Sequence, residues 1–314
     1  DAGLVTRLRE AGASVRGSTN LSEWANFRSR RSTSGWSAVG GLTGNPWSLD
    51  RSAGGSSSGS GAAVAGGLAP LAVGTETNGS ITSPASLNGV VGLKATVGSI
   101  PTRGIVPLSP SQDAPGPLTR CIVDAAIAFE VLSGTRGAVD ACAPGTSSAV
   151  RVGVATGWLT GDAATDDAFH DAVDLLAGHV GSVVRVEAAT PTFQVLEDQV
   201  CVLLAEFDDA LGEYLVGRPG AGVRSMVDVV EFNRQHPAAE LAHFDQDLLE
   251  AAVTSGGRSG QRYLDARRRN VDWARDACLE PSFAQGVDVL VSPAYRPAWK
   301  SDITHGDVLS GGGA

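Results

Sequence analysis

The stretch from 54 to 96 limits what this chain can fold into more than any other: GGSSSGSGAAVAGGLAPLAVGTETNGSITSPASLNGVVGLKAT. Three consecutive serines, Ser56, Ser57 and Ser58, stand between glycines at its start, and Ser80 follows Gly79 further on. Glycine opens backbone conformations closed to other residues and lets a ligand approach the main chain. Serine brings a hydroxyl that donates or accepts a hydrogen bond, and that becomes a nucleophile once activated. The two serine sites bracket residues 61–73, whose Ala, Val and Leu can pack tightly against a sheet. A flexible Gly/Ser linker would account for residues 56–61, but not for the AAVAGGLAPLAV that follows.

Composition narrows the function classes. At 314 residues the chain can bury a sizeable core as one large domain or two ordinary ones. Its formal net charge is −10 at pH 7, it holds only two lysines, Lys94 and Lys300, and it has no long basic run. Phosphate recognition needs clustered cations, so a nucleic-acid partner is not expected. Cys121, Cys142, Cys201 and Cys278 are widely spaced without a CxxC pair, which reads as free thiols rather than a disulfide scaffold. Neither the cysteines nor the histidines have metal-ligand spacing, and the glycine-rich run lacks the lysine of a P-loop, so no metal, nucleotide or other cofactor is expected. No apolar run approaches the length of a membrane span, so no membrane partner is expected. A cytoplasmic location is the expectation. Secretion stays open because the chain starts at Asp1, without an initiator methionine.

Taken in order, residues 1–12 carry Leu4, Val5, Leu8 and Ala11 at helical spacing, closed by Gly12. Residues 14–16 suit a short strand, and Thr19 or Asn20 can cap a helix running through Ala25. Residues 27–53 read as an ordered loop over the serine-rich centre; Trp36, with Ser37, and Trp47 suit either a substrate cleft or structural lids. A helix is expected over 60–67, a buried strand over 71–74, a turn over 75–79 and another short helix from 83. Residues 97–117 look like loops and short strands, followed by a helix over 124–133 that ends at Gly134. The β-branched run at 150–155, a helix over 168–176 and a strand at 183–186 predict a parallel crossover. Helices follow over 191–216, 226–233, 244–252 and 260–277, then a strand at 287–291. The pattern is one α/β domain over 1–314, with a helical excursion around 192–280.

Amide hydrolysis needs a nucleophile, a base, donors for the oxyanion and an acid for the leaving nitrogen. Ser80 lies in Thr77-Asn78-Gly79-Ser80-Ile81, where a tight turn after a strand would expose its hydroxyl and bring the amides of Thr77, Asn78, Gly79 and Ser80 together. The order GGSS, then GTETNGSI, then GLKAT resembles the signature of the amidase signature family of serine hydrolases. SEWANFRS at 22–29, SGWSAVGG at 34–41, EFDDALGEYL at 206–215 and VEFNRQHPAAELAHFDQDLLE at 230–250 resemble its peptide amidase branch. That resemblance implies a mixed β-sheet core covered by helices on both faces. It implies an acyl-enzyme on Ser80 and a bridging Ser56 in a cis peptide bond, acting in a Ser-Ser-Lys mechanism on linear carboxamides such as C-terminal peptide amides. A small-molecule or peptide amide is then the partner.

The chain departs from the pattern at several places. Ser18 stands where a lysine is common, Glu76 where Asp is frequent, Ala95 where Pro is frequent. Asn78 replaces the family's usual Gly, or the Asp of the peptide amidase branch. The family's catalytic lysine lies upstream of the bridging serine, yet residues 1–55 contain no lysine. Lys94 belongs to the separate GLK element and is expected to be structural. A fragment that starts after the catalytic lysine and stops before the final strands is the simplest expectation; a lysine-free pseudoenzyme is the other. Two rival readings stay open. Gly55-Ser56-Ser57-Ser58-Gly59 also fits a G-x-S-x-G nucleophile elbow centred on Ser57, although SLDRSA before it does not read as the required strand, and His170, His179, His236, His243 and His305 stand in no distinctive context. A non-catalytic or partner-dependent amidotransferase-like subunit is the other.

Overall fold

The computed structural model describes residues 1–307, so the expectation that the chain stops before the final strands falls on an end outside the described residues. The described chain groups into two compact units, one of residues 1–139, 203–260 and 298–307, the other of 140–202 and 261–297. In the first unit, α1 (Gly3–Glu10) buries Leu4 against Ala95, Ile100 and Leu132. The expected strand at 14–16 is absent. Instead of a capped helix through Ala25, the chain makes a 3₁₀ turn at Glu23–Asn26 with Trp24, Ala25 and Asn26 at φ 48°, 55° and 66°. The reason is tertiary: the Asn20 Oδ1, free on paper to cap a helix, accepts from the Ser37 hydroxyl, and its Nδ2 donates to the carbonyls of Gly35 and Gly41.

Short antiparallel pairs follow, β1 (Trp36–Ser37) with β2 (Gly41–Leu42) and β3 (Gly44–Asn45) with β4 (Ser48–Ser52). The segment SLDRS is therefore a strand despite its polarity; four of its five residues are exposed or half-buried, so it needs little apolar surface. Next come α2 (Ser58–Ala65), β5 (Leu71–Glu76), α3 (Thr82–Asn88), β6 (Val91–Gly92) and β7 (Ala114–Thr119). The sheet is antiparallel in the order β5-β7-β6, with Val64, Ile81, Ala85 and Leu118 as its core.

The central strand, β7, reads APGPLT and is wholly buried, although its two prolines lack the NH a ladder requires. The Pro117 carbonyl accepts from the Leu93 NH at 3.1 Å, so Pro117 turns its ring nitrogen to the β6 side. There the partner strand is only two residues long and pairs with Leu118 and Thr119. The helix α4 (Ile122–Ser133) ends at Gly134 with φ 77°, where glycine accepts a left-handed C-cap. The largest apolar cluster of this unit joins Phe207, Leu211 and Leu215 of the helix Phe193–Val216 to Met226, Val229, Val230, Leu249 and Ala252. Burying a side chain of this size contributes about 1.5–3 kcal/mol.

The second unit holds the parallel sheet expected from the β-branched runs. Its order is β10-β8-β9, with β8 at Arg151–Ala155, β9 at Ser182–Val186 and β10 at Val289–Val291. The helix Ala163–Ala177 makes the crossover from β8 to β9, and Asp162 caps it by accepting from the Thr165 NH at 2.9 Å. The run of helices around 192–280 is present, and it ends in a π-helical turn at Trp273–Leu279. The protein is thus the mixed α/β class that the pattern predicts. No helix among the described residues is long and apolar enough to cross a membrane.

Candidate active site

Small residues let the start of α2 lie directly on β5. A Cβ on Gly74 would stand 2.6 Å from Ser57 Oγ, so only glycine fits where the strand passes this helix. The Ser57 hydroxyl donates to the Thr75 carbonyl and accepts from the Thr75 NH, both at 3.1 Å. Its NH donates to the Ser80 carbonyl at 3.1 Å. Ser57 is therefore a tie between helix and strand, with its hydroxyl occupied. The elbow reading meets its strand requirement in β4, yet none of the five histidines is bonded to Ser57. His170 contacts the Asp166 carbonyl, His236 the Phe232 carbonyl and His305 Asp302, while His243 packs on Trp36.

Ser56 lies one residue earlier, behind a cis Gly55–Ser56 peptide bond. Its carbonyl accepts from the NH groups of Ser22 and Ser58, at 2.9 and 2.8 Å. Its hydroxyl is buried and has no hydrogen-bond partner. A buried polar atom left in this way costs about 1–3 kcal/mol. The residue is held through its main chain while its side chain is left free to act.

The turn from β5 to α3 carries Ser80. Glu76 is buried, and its Oε2 accepts from the NH groups of Ile81 and Thr82 at 2.7 and 2.8 Å, which fixes the exit of the turn. Gly79 sits at φ 83°, a region that favours glycine, and its carbonyl accepts from the Ser83 NH at 2.7 Å. Thr77 is held at both ends. Lys94 Nζ donates to its carbonyl at 2.7 Å, and its own hydroxyl donates to Asp113 Oδ1 at 2.5 Å. Lys94 also lies 3.8 Å from Glu76 Oε1. Among the described residues, the NH groups of Asn78, Gly79 and Ser80 donate to no protein acceptor. The expected residues Ser56, Ser80, Thr77, Asn78 and Gly79 are thus brought to one place, joined through Ser57.

A pocket adjoins this turn, lined by Thr75, Thr77 and Asp113 and by apolar groups including Ile105, Val106, Pro107 and Leu108. Asp113 forms one corner. Its Oδ2 accepts from the NH groups of Leu108 and Ser109, both at 2.9 Å. Burial pushes its pKa above the usual carboxylate range, against the pull of its hydrogen bonds, and the charge of Glu206 adds to the rise. The sequence reading missed Asp113, because a lone carboxylate in a Pro/Gly-rich loop gives no signal of the strand it will stand beside.

Trp36 is buried rather than lining an open cleft. It packs edge-on against Phe244, with ring centroids 5.0 Å apart, and the buried Arg28 guanidinium lies over both rings. Ser37 donates to Asn20 Oδ1 at 2.6 Å and accepts from the Gly40 NH. Both side chains serve the protein's own packing and hydrogen bonding, which lends the expectation of substrate contact no support. Trp47 is 73% exposed, and its indole NH donates to the Asn88 carbonyl. Among the described residues no group of three or more His, Cys, Asp or Glu could hold a metal ion.

Comparison with known proteins places this geometry. A family profile described as Amidase matches residues 1–308. A protein of Arabidopsis thaliana named "probable amidase" is 36% identical over 310 residues, spanning 93% of this chain and 60% of that protein. A glutamyl-tRNA(Gln) amidotransferase subunit of Cutibacterium acnes is 37% identical, spanning 94% of this chain and 60% of its own length. Among solved structures, the peptide amidase PAM in complex with the competitive inhibitor chymostatin superposes with a TM-score of 0.94 at 38% identity, over 99% of this chain and 67% of that one. The chain thus spans about 60% of the curated relatives it matches. With the serine-glycine run and the profile in agreement, this chain belongs to the amidase signature family.

Proposed function

We propose that the chain carries the serine centre of an amidase that hydrolyses linear carboxamides, including C-terminal peptide amides. The observation that carries this reading is the buried Ser56 hydroxyl, without a partner among the described residues, tied through Ser57 to a turn whose Asn78, Gly79 and Ser80 NH groups have no protein acceptor there. In this reading Ser80 attacks the amide carbon and passes its proton to Ser56, which returns it to the leaving nitrogen. The NH groups of Thr77, Asn78, Gly79 and Ser80 take up the developing oxyanion, where each donor is worth about a hundredfold or more in rate. Water then releases the acyl group from Ser80. The relay needs a base behind Ser56. Lys94 is committed to the Thr77 carbonyl, so it is not taken for that base. The four cysteines, which form no disulfide among the described residues, fit a cytoplasmic setting.

The test is labelling of the complete gene product with a fluorophosphonate, with peptide mapping of the adduct and ammonia release measured from peptide amides. The expected result is an adduct on Ser80, lost in S80A and strongly slowed in S56A, with S57A still labelled. An adduct on Ser57 would replace this reading with the elbow. A second reading, favoured by the relatives named as amidotransferase subunits, is release of ammonia to a partner protein. It predicts turnover of glutamine only when the other subunits of such a complex are present.

A further inference from the structure

We infer that Lys94, which the sequence presents as a merely structural lysine, is a positioning residue that aims the oxyanion turn. The inference rests on the hydrolase reading above and extends it to a group that the reading did not use. A trans peptide is planar, so the carbonyl of Thr77 and the NH of Asn78 belong to one rigid plane and point in opposite directions. Lys94 Nζ holds that carbonyl at 2.7 Å, and in doing so turns the Asn78 NH to the other side, where no protein acceptor among the described residues meets it. The next donor is set in the same manner. The Gly79 carbonyl accepts from the Ser83 NH at 2.7 Å, which turns the Ser80 NH away from α3.

Lys94 is well built for this task. The Leu93 NH donates to the Pro117 carbonyl at 3.1 Å, which anchors the stem of the lysine on β7. Its ammonium also lies 3.8 Å from Glu76 Oε1, and the other oxygen of Glu76 holds the Ile81 and Thr82 NH groups. One ion pair thus connects the entry and the exit of the turn. Without Lys94, the Thr77–Asn78 peptide loses its charged donor and can rotate, which withdraws one oxyanion donor without altering the pocket walls.

The experiment uses the complete gene product as wild type, K94M and K94A, with ammonia release from a peptide amide as the activity. The expected result is a fall in kcat of about 100-fold or more in both variants, with KM within about threefold, in line with the loss of one oxyanion donor. A peptide aldehyde, whose adduct on serine carries the oxyanion, should lose affinity by the same factor. The corresponding alcohol, which carries none, should bind as before. Propylammonium added to K94A should restore part of kcat, since the side chain of Lys94 is one-third exposed and a small amine can enter. Unchanged kcat, equal loss of aldehyde and alcohol, or failure of both variants to fold would assign Lys94 to structure alone and overturn the inference. A wild-type protein that neither releases ammonia nor takes the label would instead remove the hydrolase reading, and this inference with it.

Discussion

Asp113 accepts three hydrogen bonds in a place that disfavours its charge. Its folded pKa lies above that of the unfolded chain, so the folded state keeps the proton longer as pH rises. The stability it contributes is therefore full below the ordinary aspartate range and declines as pH rises through the folded value. D113N keeps an acceptor for the Leu108 and Ser109 NH groups and removes the titration. It is expected to fold as well as the wild type and to flatten the dependence of the urea midpoint on pH above the ordinary aspartate range. D113A leaves three donors without their acceptor, at a cost of about 2–4 kcal/mol. Urea melts of the three proteins decide it; a D113N midpoint that keeps the wild-type slope would show that another group carries the titration.

At the level of elements, the contact between α2 and β5 is set by Gly74. An added methyl would stand 2.6 Å from Ser57 Oγ and 2.9 Å from Leu118 Cδ1, too close for either neighbour to remain in place. G74A is expected to cost about 1–3 kcal/mol by overpacking. Ser57 is bonded to Thr75 on one side and to the Ser80 carbonyl on the other, so its displacement reaches the nucleophile turn. Slower fluorophosphonate labelling of Ser80 should accompany the lower urea midpoint. A G74A protein with wild-type midpoint and labelling rate would mean that strand and helix move apart without consequence. The neighbouring strand β7 shows why such pieces resist prediction. Two prolines and a glycine argue against a central strand, and only the shortness of β6 makes them acceptable.

For the molecule as a whole, we propose that residues 1–314 unfold as one domain. One of the boundaries between the two compact units falls at 202/203, inside the helix Phe193–Val216. Trp24, Trp36, Trp47 and Trp299 report on the first unit, Trp158 and Trp273 on the second. Fluorescence and far-UV circular dichroism should follow coincident urea transitions, and two separated transitions would show two domains instead.

What the sequence determined by itself was local or short in range. The helix ends at Gly12 and Gly134, the β-branched strands at 150–155 and 183–186, and the order of serine, glycine turn and GLK were all readable. Each depends on residues a few places apart, or on a pattern that survives as letters. Tertiary structure alone decided that SLDRS would pair as a strand, that Asn20 would hold a loop rather than cap a helix, and that Trp36 would pack around Arg28. It alone placed Lys94 and Asp113 at the two ends of Thr77, 17 and 36 residues away in the chain. Such contacts exist only once β5, β6 and β7 have paired, because a lysine or an aspartate carries no mark in the sequence of the backbone group it will meet.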